Sequence, residues 1–254
     1  MADIRGILID VDGVLRIDTD PIPGTIEALA DLRRREFPFR LLTNTTVRTR
    51  HSLGALMRRI GFDVDDEQII TAGAATAAYL RRRFPGQPCY LITTGDVADD
   101  FAGVPLTNGM DARVVVIGGA EHNFTYAALN HAFRLLLNGA TLVAMHRGKY
   151  WITAQGPTLD AGAYIRGLEY VTGKRARLVG KPAAPFFRAG FRSLGLPPEE
   201  VAIVSDDLLQ DIMPAKRLGL TGILVRTGIF TEADLEAAQP DSVIDSFATI
   251  GEVI

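Results

Sequence analysis

Short runs of consecutive aliphatic residues alternate along this chain with segments whose apolar positions recur every three or four residues. Ile7-Leu8-Ile9 reads as a strand buried on both faces, the habit of a parallel sheet covered by helices. Phe39–Thr43, Val201–Val204 and Thr221–Val225 repeat that texture. Between the first two, the spacing of Ile26, Leu29 and Leu32 predicts a helix from about Gly24 to Arg35, after a polar loop with Asp18, Asp20, Pro21 and Pro23. A further helix covers roughly Thr49 to Ile60, closed by Gly61. An order of β, α, β, α builds a parallel sheet.

From about Gly73 the texture changes. The pattern predicts helices over Ala72–Phe84, Tyr126–Leu137 and Gly162–Tyr170, with strands around Tyr90, Val114–Ile117, Leu142–Ala144 and Tyr150–Ile152. This stretch is long enough to form a unit with its own core. The first texture then returns, with a helix from about Pro185 to Leu194 and another from Asp211 through Leu218. A short helix over Glu232–Ala238, a small strand at Val243-Ile244 and a terminal helix complete the chain. The simplest architecture is α/β: a parallel-sheet domain from residues 1–72 and 179–254, with residues 73–178 inserted as a second α/β domain.

Composition narrows the function classes. Hydrophobic residues make up 47% and charged residues 22%, which suits a soluble globular chain. A net charge of −3 gives no reason to expect nucleic acid or an anionic membrane as partner. No apolar run approaches the roughly 20 residues a bilayer span needs, and Met1-Ala2-Asp3-Ile4-Arg5 lacks the pattern of a signal peptide. The single cysteine, Cys89, excludes an intramolecular disulfide and sits in an apolar strand as a small hydrophobe. The expected address is the cytoplasm.

The candidate chemistry lies at the strand ends. The first strand finishes in Asp10-Val11-Asp12-Gly13, the second in Thr43-Asn44, and the third in Ser205-Asp206-Asp207, with Asp211 five positions beyond Asp206. Lys181 follows a short apolar segment. Asp10 and Asp12 share strand parity, so both face one crevice if the extended geometry persists. In open parallel sheets those carboxyl ends converge on one crevice. Four gathered carboxylates raise one another's pKa values unless a cation is present, and Mg²⁺, with its oxygen ligands and retained waters, offsets that repulsion. Thr43 and the N–H groups after it suit phosphate oxygens where a helix begins. One carboxylate can attack phosphorus while its neighbour moves the proton.

Asp10-Val11-Asp12-Gly13-Val14-Leu15, Thr43-Asn44, Lys181-Pro182 and the Asp206/Asp211 pair together resemble the four motifs of the haloacid dehalogenase-like hydrolase superfamily. An insertion between the second and third motifs resembles the large α/β cap of its subclass IIA. Leu159-Asp160-Ala161-Gly162 and Leu168–Gly173 are similar to the branch of pyrophosphate/phospholysine phosphatases. The resemblance implies a Rossmann-like core and a Mg²⁺-dependent phosphatase of small phosphorylated metabolites. It implies Asp10 as nucleophile and Asp12 as general acid/base. Thr43, Asn44 and Lys181 would bind phosphate, Lys181 also steadying the nucleophile. Asp10, the Asp12 carbonyl, Asp206 and Asp211 would hold the metal. Two departures stand out: Ser205 where the fourth motif usually carries glycine, and Thr45 where the second often carries asparagine.

The resemblance further implies a cap that closes over the crevice and contacts the leaving group. Its candidate specificity segment is the loop Gln155–Gly162, with Thr158, Leu159, Asp160, Ala161 and Gly162. Asp160 there either meets a cationic or hydroxylated leaving group or caps the helix after it. His146, Arg147, Lys149 and Trp151 cluster around a hairpin. Family analogy also suggests a homodimer through the cap. Two competing functions stay open: a phosphate-binding or regulatory protein with a site weakened at Ser205, and phosphoryl transfer to an acceptor other than water.

Overall fold

The structure is a computed structural model and describes residues 3–153 and 156–254. Strand β1 (Gly6–Ile9) leads into a small hairpin, β2 (Arg16–Ile17) and β3 (Asp20–Pro21), then α1 (Thr25–Arg34), β4 (Phe39–Thr43), α2 (Arg50–Arg59) and β5 (Ile69–Thr71). The middle of the chain forms α3 (Ala72–Arg83), β6 (Cys89–Ile92), β7 (Val114–Ile117), α4 (Tyr126–Leu137) and β8 (Thr141–Ala144). The hairpin β9 (Tyr150–Thr153) and β10 (Gly156–Leu159), α5 (Ala161–Thr172) and β11 (Arg177–Leu178) follow. The last stretch carries α6 (Ala184–Ser193), β12 (Val201–Ser205), α7 (Met213–Lys216), β13 (Thr221–Val225), α8 (Asp234–Ala237) and β14 (Ser242–Ile244). No helix among these residues is long and apolar enough to cross a membrane.

Contacts divide the chain into two compact units: Met1–Thr43, Leu53–Ile70 and Lys181–Ile254 form one, and Asn44–Ser52 with Thr71–Gly180 form the other. The segment Asn44–Ser52, expected with the first domain, therefore groups with the second. Its contacts explain why. The Asp96 carboxylate accepts from the Thr49 N–H at 2.9 Å, and the Thr46 hydroxyl accepts from the Gly119 N–H at 2.7 Å.

In the first unit a six-stranded sheet runs β14-β13-β12-β1-β4-β5. β1 lies between β4 and β12 and pairs parallel with both. Ile7, Leu8 and Ile9 are wholly buried, as a strand covered on both faces requires. Each such side chain contributes about 2 kcal/mol of burial. Leu29 and Leu32 of α1, and Leu53, Leu56 and Met57 of α2, pack into one core with Ile7 and Ile9. Pairing of β1 with β12 joins the two ends of the chain around one sheet.

The second unit has its own four-stranded parallel sheet, β11-β8-β7-β6. Thr71 and Thr125 cap α3 and α4, accepting from Ala74 and Ala128 N–H at 3.1 Å each. Gly173 ends α5 with φ 68°, a left-handed conformation that glycine adopts without strain. The segment read as a loop over residues 155–162 instead contains β10, which pairs antiparallel with β9. Pro157 sits on this two-stranded ribbon, where its missing N–H is tolerated. Gln155 lies outside the described residues.

Glu169 on α5 is buried and accepts from Arg147 Nη2 at 2.6 Å, the Ala176 N–H at 2.8 Å and Arg166 Nη1 at 3.0 Å. Burial alone would raise its carboxyl, but these donors and charges hold it below its ordinary value of 4.5. Its stabilising effect is therefore full above that value and lost as pH falls through the lowered one. Glu169→Gln is expected to cost about 3 kcal/mol at neutral pH. The difference from wild type should narrow in thermal melts taken below pH 4.5.

Candidate active site

Strand β1 ends at Ile9, so Asp10 is the first residue past it, its N–H donating to the Val204 carbonyl at 2.9 Å. The Asp10 side chain is buried. Its Oδ1 accepts from the Val11 N–H at 2.8 Å and lies 2.8 Å from Lys181 Nζ. The chain then turns: Gly13 N–H donates to the Arg16 carbonyl, with Gly13 at φ 82°. The extended geometry that would put Asp10 and Asp12 on one strand face is therefore absent. Asp12 sits in the turn, its side chain 55% exposed, with Arg16 Nη2 2.8 Å from its Oδ1. Desolvation in the turn pushes its carboxyl above the ordinary range; Arg16 opposes that and Asp10 adds to it.

Lys181, buried, bridges two carboxylates: Asp10 Oδ1 at 2.8 Å and Asp211 Oδ2 at 2.7 Å. Burial alone would lower the ammonium, but Asp10 and Asp211 outweigh it and hold it above its ordinary range. Asp211 does not open an ordinary helix, as its sequence position suggested. Residues Leu208–Ile212 form a π-helical turn before α7, capped by Asp207, whose Oδ1 accepts from the Leu209 and Gln210 N–H groups. Pro214 has no N–H with which to continue the α ladder from that turn. Asp211 is buried, and its Oδ2 accepts from Lys181 and from the Ser205 hydroxyl at 2.6 Å. Burial raises this carboxyl well above its ordinary range, against the pull of Lys181.

Asp206 follows β12 directly and is buried, its Oδ2 accepting from the Ile229 N–H at 2.9 Å. A Cβ at Gly13 or at Gly228 would collide with that same oxygen, so both glycines serve its close packing. Burial, then the charge of Asp10, pushes the Asp206 carboxyl up to about 7. Thr43 is buried at the end of β4. No helix begins there: α2 starts at Arg50, so the expected phosphate site at a helix N-terminus is not formed by α2. Asn44 groups with the other unit.

The donor set suits a hard divalent cation. Asp10 and Asp206 supply carboxylate oxygens, and the raised Asp206 carboxyl marks a place where positive charge would be favoured. Among the described residues no three His, Cys, Asp or Glu side chains group as a metal site. One expected ligand is otherwise engaged, Asp211 Oδ2 with Lys181 and Ser205, while the Asp12 side chain pairs with Arg16. Mg²⁺ tolerates such a sparse set because it keeps several waters.

In the second unit Asp160 caps α5, its Oδ1 accepting from the Ala161 N–H at 2.7 Å. Its Oδ2 lies 3.5 Å from Nδ1 of the buried His146. Burial lowers the His146 imidazole and Asp160 partly opposes that. Gly162 N–H donates to the Gly148 carbonyl at 2.8 Å, and a Cβ on Gly162 would strike that oxygen. Ala161 is buried, Leu159 is exposed, and Thr158 pairs in register with Trp151 across the hairpin. Arg147 is committed to Glu169 and the Ala176 carbonyl, and Lys149 accepts at its carbonyl from the Asp160 N–H.

Residues 7–107 match the haloacid dehalogenase-like hydrolase family, and residues 178–250 a HAD-hydrolase-like family. The human haloacid dehalogenase-like hydrolase domain-containing protein 2 is 36% identical over 93% of this chain and 90% of its own length. The chain belongs to the haloacid dehalogenase-like hydrolases. Phospholysine phosphohistidine inorganic pyrophosphate phosphatase of Bos taurus is 32% identical, covering 98% of this chain and 93% of that protein. The structure of 4-nitrophenylphosphatase from Thermotoga maritima superposes with a TM-score of 0.91 at 29% identity, covering 99% of this chain and 97% of that one. A p-nitrophenyl phosphatase from Archaeoglobus fulgidus gives 0.93 at 26% identity, covering 99% and 100%. The family membership agrees with the α/β parallel-sheet core expected from the sequence.

Sequence reasoning missed four contributors to this site. Arg16 carries no motif signal, yet it holds Asp12. Gly228 and Ile229 support Asp206 from 22 and 23 positions downstream, where spacing carries no signal. The Ser205 hydroxyl, noted only as a departure, is a donor inside the carboxylate cluster.

Proposed function

We propose that this chain is a Mg²⁺-dependent phosphatase that hydrolyses a small phosphorylated metabolite through an aspartyl phosphate on Asp10. The observation that carries this reading is the buried Lys181 ammonium between Asp10 and Asp211 at the carboxyl end of β1. The phosphatase names of the relatives support it. Asp10 attacks phosphorus, forming an Asp–O–P bond as the bond to the leaving oxygen breaks. Asp12, two residues beyond the nucleophile, gives a proton to the leaving oxygen. It then takes a proton from the water that attacks the phosphoenzyme, releasing phosphate and restoring Asp10. Lys181 presents fixed positive charge to the transferring group. Asp10, Asp206 and the Asp12 carbonyl would hold Mg²⁺, which neutralises phosphoryl charge when bound.

Phosphate release from a panel of phosphate monoesters and inorganic pyrophosphate tests the reading. At least one should turn over with Mg²⁺, about 100-fold or more above the rate in EDTA. Pure, Mg²⁺-loaded protein that hydrolyses none of them would turn the assignment toward a phosphate-binding protein.

A further inference from the structure

Ser205 closes a ring that the four motifs alone would leave open. Its hydroxyl stands 2.6 Å from Asp211 Oδ2 and 3.3 Å from Asp10 Oδ2, while Lys181 Nζ touches Asp211 Oδ2 and Asp10 Oδ1 at 2.7 and 2.8 Å. All four residues are buried, Ser205 completely. Two carboxyl groups thus alternate with the Lys181 ammonium and the Ser205 hydroxyl. A hydroxyl has one hydrogen to give, and the shorter distance assigns it to Asp211. Its oxygen also accepts from the Asp207 N–H at 3.2 Å, which orients the rotor. Glycine at this position supplies none of these contacts.

We propose that Ser205 is a positioning residue that fixes Asp211, and through it the Lys181 ammonium, on the nucleophile Asp10. This rests on the phosphatase reading above and deepens it. The physical case is one of restraint. Asp211 Oδ2 faces two donors from different elements, Lys181 just before α6 and Ser205 at the end of β12. Removing one leaves a buried carboxylate held chiefly by the lysine, which must then share its protons less symmetrically with Asp10. A hydrogen bond to a charged group is among the stronger ones, and its loss is felt most where the geometry of attack is set. Ser205 also lies beside Asp10 Oδ2 without holding its own proton there, so that oxygen keeps a short-range dipole next to it rather than a committed donor.

The test compares Ser205→Ala, Ser205→Thr and wild type on one hydrolysed substrate, with thermal melts of each. Ser205→Ala should lower kcat about tenfold while KM stays within about twofold. Ser205→Thr, which keeps the hydroxyl, should recover most of the loss. A merely structural serine would instead lower the melting temperature without splitting kcat from KM. Wild-type kcat in a folded Ser205→Ala protein would overturn the proposal. A crystal structure of Ser205→Ala supplies a readout free of turnover: the Lys181–Asp10 and Lys181–Asp211 distances should become unequal, and an unchanged bridge would count against the role. Absence of turnover in wild type, by contrast, would strike the phosphatase reading and leave that structural comparison to decide the role of Ser205.

Discussion

Replacing Asp10 by asparagine is expected to abolish phosphate release, with kcat down about 10⁴-fold or more, while the protein stays folded. The two halves of this expectation have separate causes. The amide is nearly the same size as the carboxylate, and its oxygen can still accept from the Val11 N–H that now meets Asp10 Oδ1 at 2.8 Å. Lys181 would keep its hydrogen bond to Asp211 at 2.7 Å, so the buried ammonium is not left without a partner. The substitution even removes one of the charges that push the neighbouring Asp206 carboxyl up. What asparagine lacks is an anionic oxygen to form the bond to phosphorus. Residual release above about 1% of wild type in a stopped assay would rule Asp10 out as nucleophile.

Lys181→Met should damage both folding and turnover, and the two effects can be pulled apart. The lysine is 4% exposed with carboxylates at 2.8 and 2.7 Å. Methionine fills much of the same volume but leaves Asp10 and Asp211 facing each other without the cation. Removing one member of a buried charged cluster costs about 3–5 kcal/mol, or about 10 °C of melting temperature in a chain of this size. Turnover should fall about 10³-fold, since fixed charge on the transferring phosphoryl group is lost. Adding Asp211→Asn to Lys181→Met removes one of the stranded charges. It should restore part of the stability in thermal melts and none of the activity. Recovery of turnover in the double variant would mean that Lys181 acts only as a structural counter-ion.

The strands that frame the site were legible because they are buried on both faces. Ile7-Leu8-Ile9, Phe39–Thr43, Val201–Val204 and Thr221–Val225 announce themselves as aliphatic runs, and β1, β4, β12 and β13 cover them. The acids at their tips follow from the same runs, since an abrupt carboxylate after a buried strand has few structural uses. Shorter elements escaped. β2 and β3 have two residues each and β5 three, too few for any period to show. Asp211 was expected to open an ordinary helix; it lies instead inside the π-helical turn Leu208–Ile212, which only its backbone bonds reveal, Asp211 and Ile212 N–H both reaching the Asp207 carbonyl. The partnership of Arg16 with Asp12 depends on a turn closing at Gly13, a tertiary outcome that residue type alone does not encode. The grouping of Asn44–Ser52 with the second unit is likewise set by hydrogen bonds to residues more than forty positions away, such as Asp96.

The pairing of β1 with β12 also sets an order of events during synthesis. Ile7 to Ile9 face Ala202 to Val204 across the sheet, with the whole second unit encoded between them. A chain emerging from the ribosome therefore holds β1 and β4 for a long interval with one side of β1 unpaired. Residues 71–180 can meanwhile close their own sheet, since nearly all of its strands and helices are already in hand. Asp10 is made before the second unit, yet it gains Lys181, Ser205 and Asp211 only from residues that follow that unit. The cluster is thus withheld until the chain has passed the π-helical turn, and a nascent chain stalled before β12 would carry Asp10 without Ser205 and Asp211.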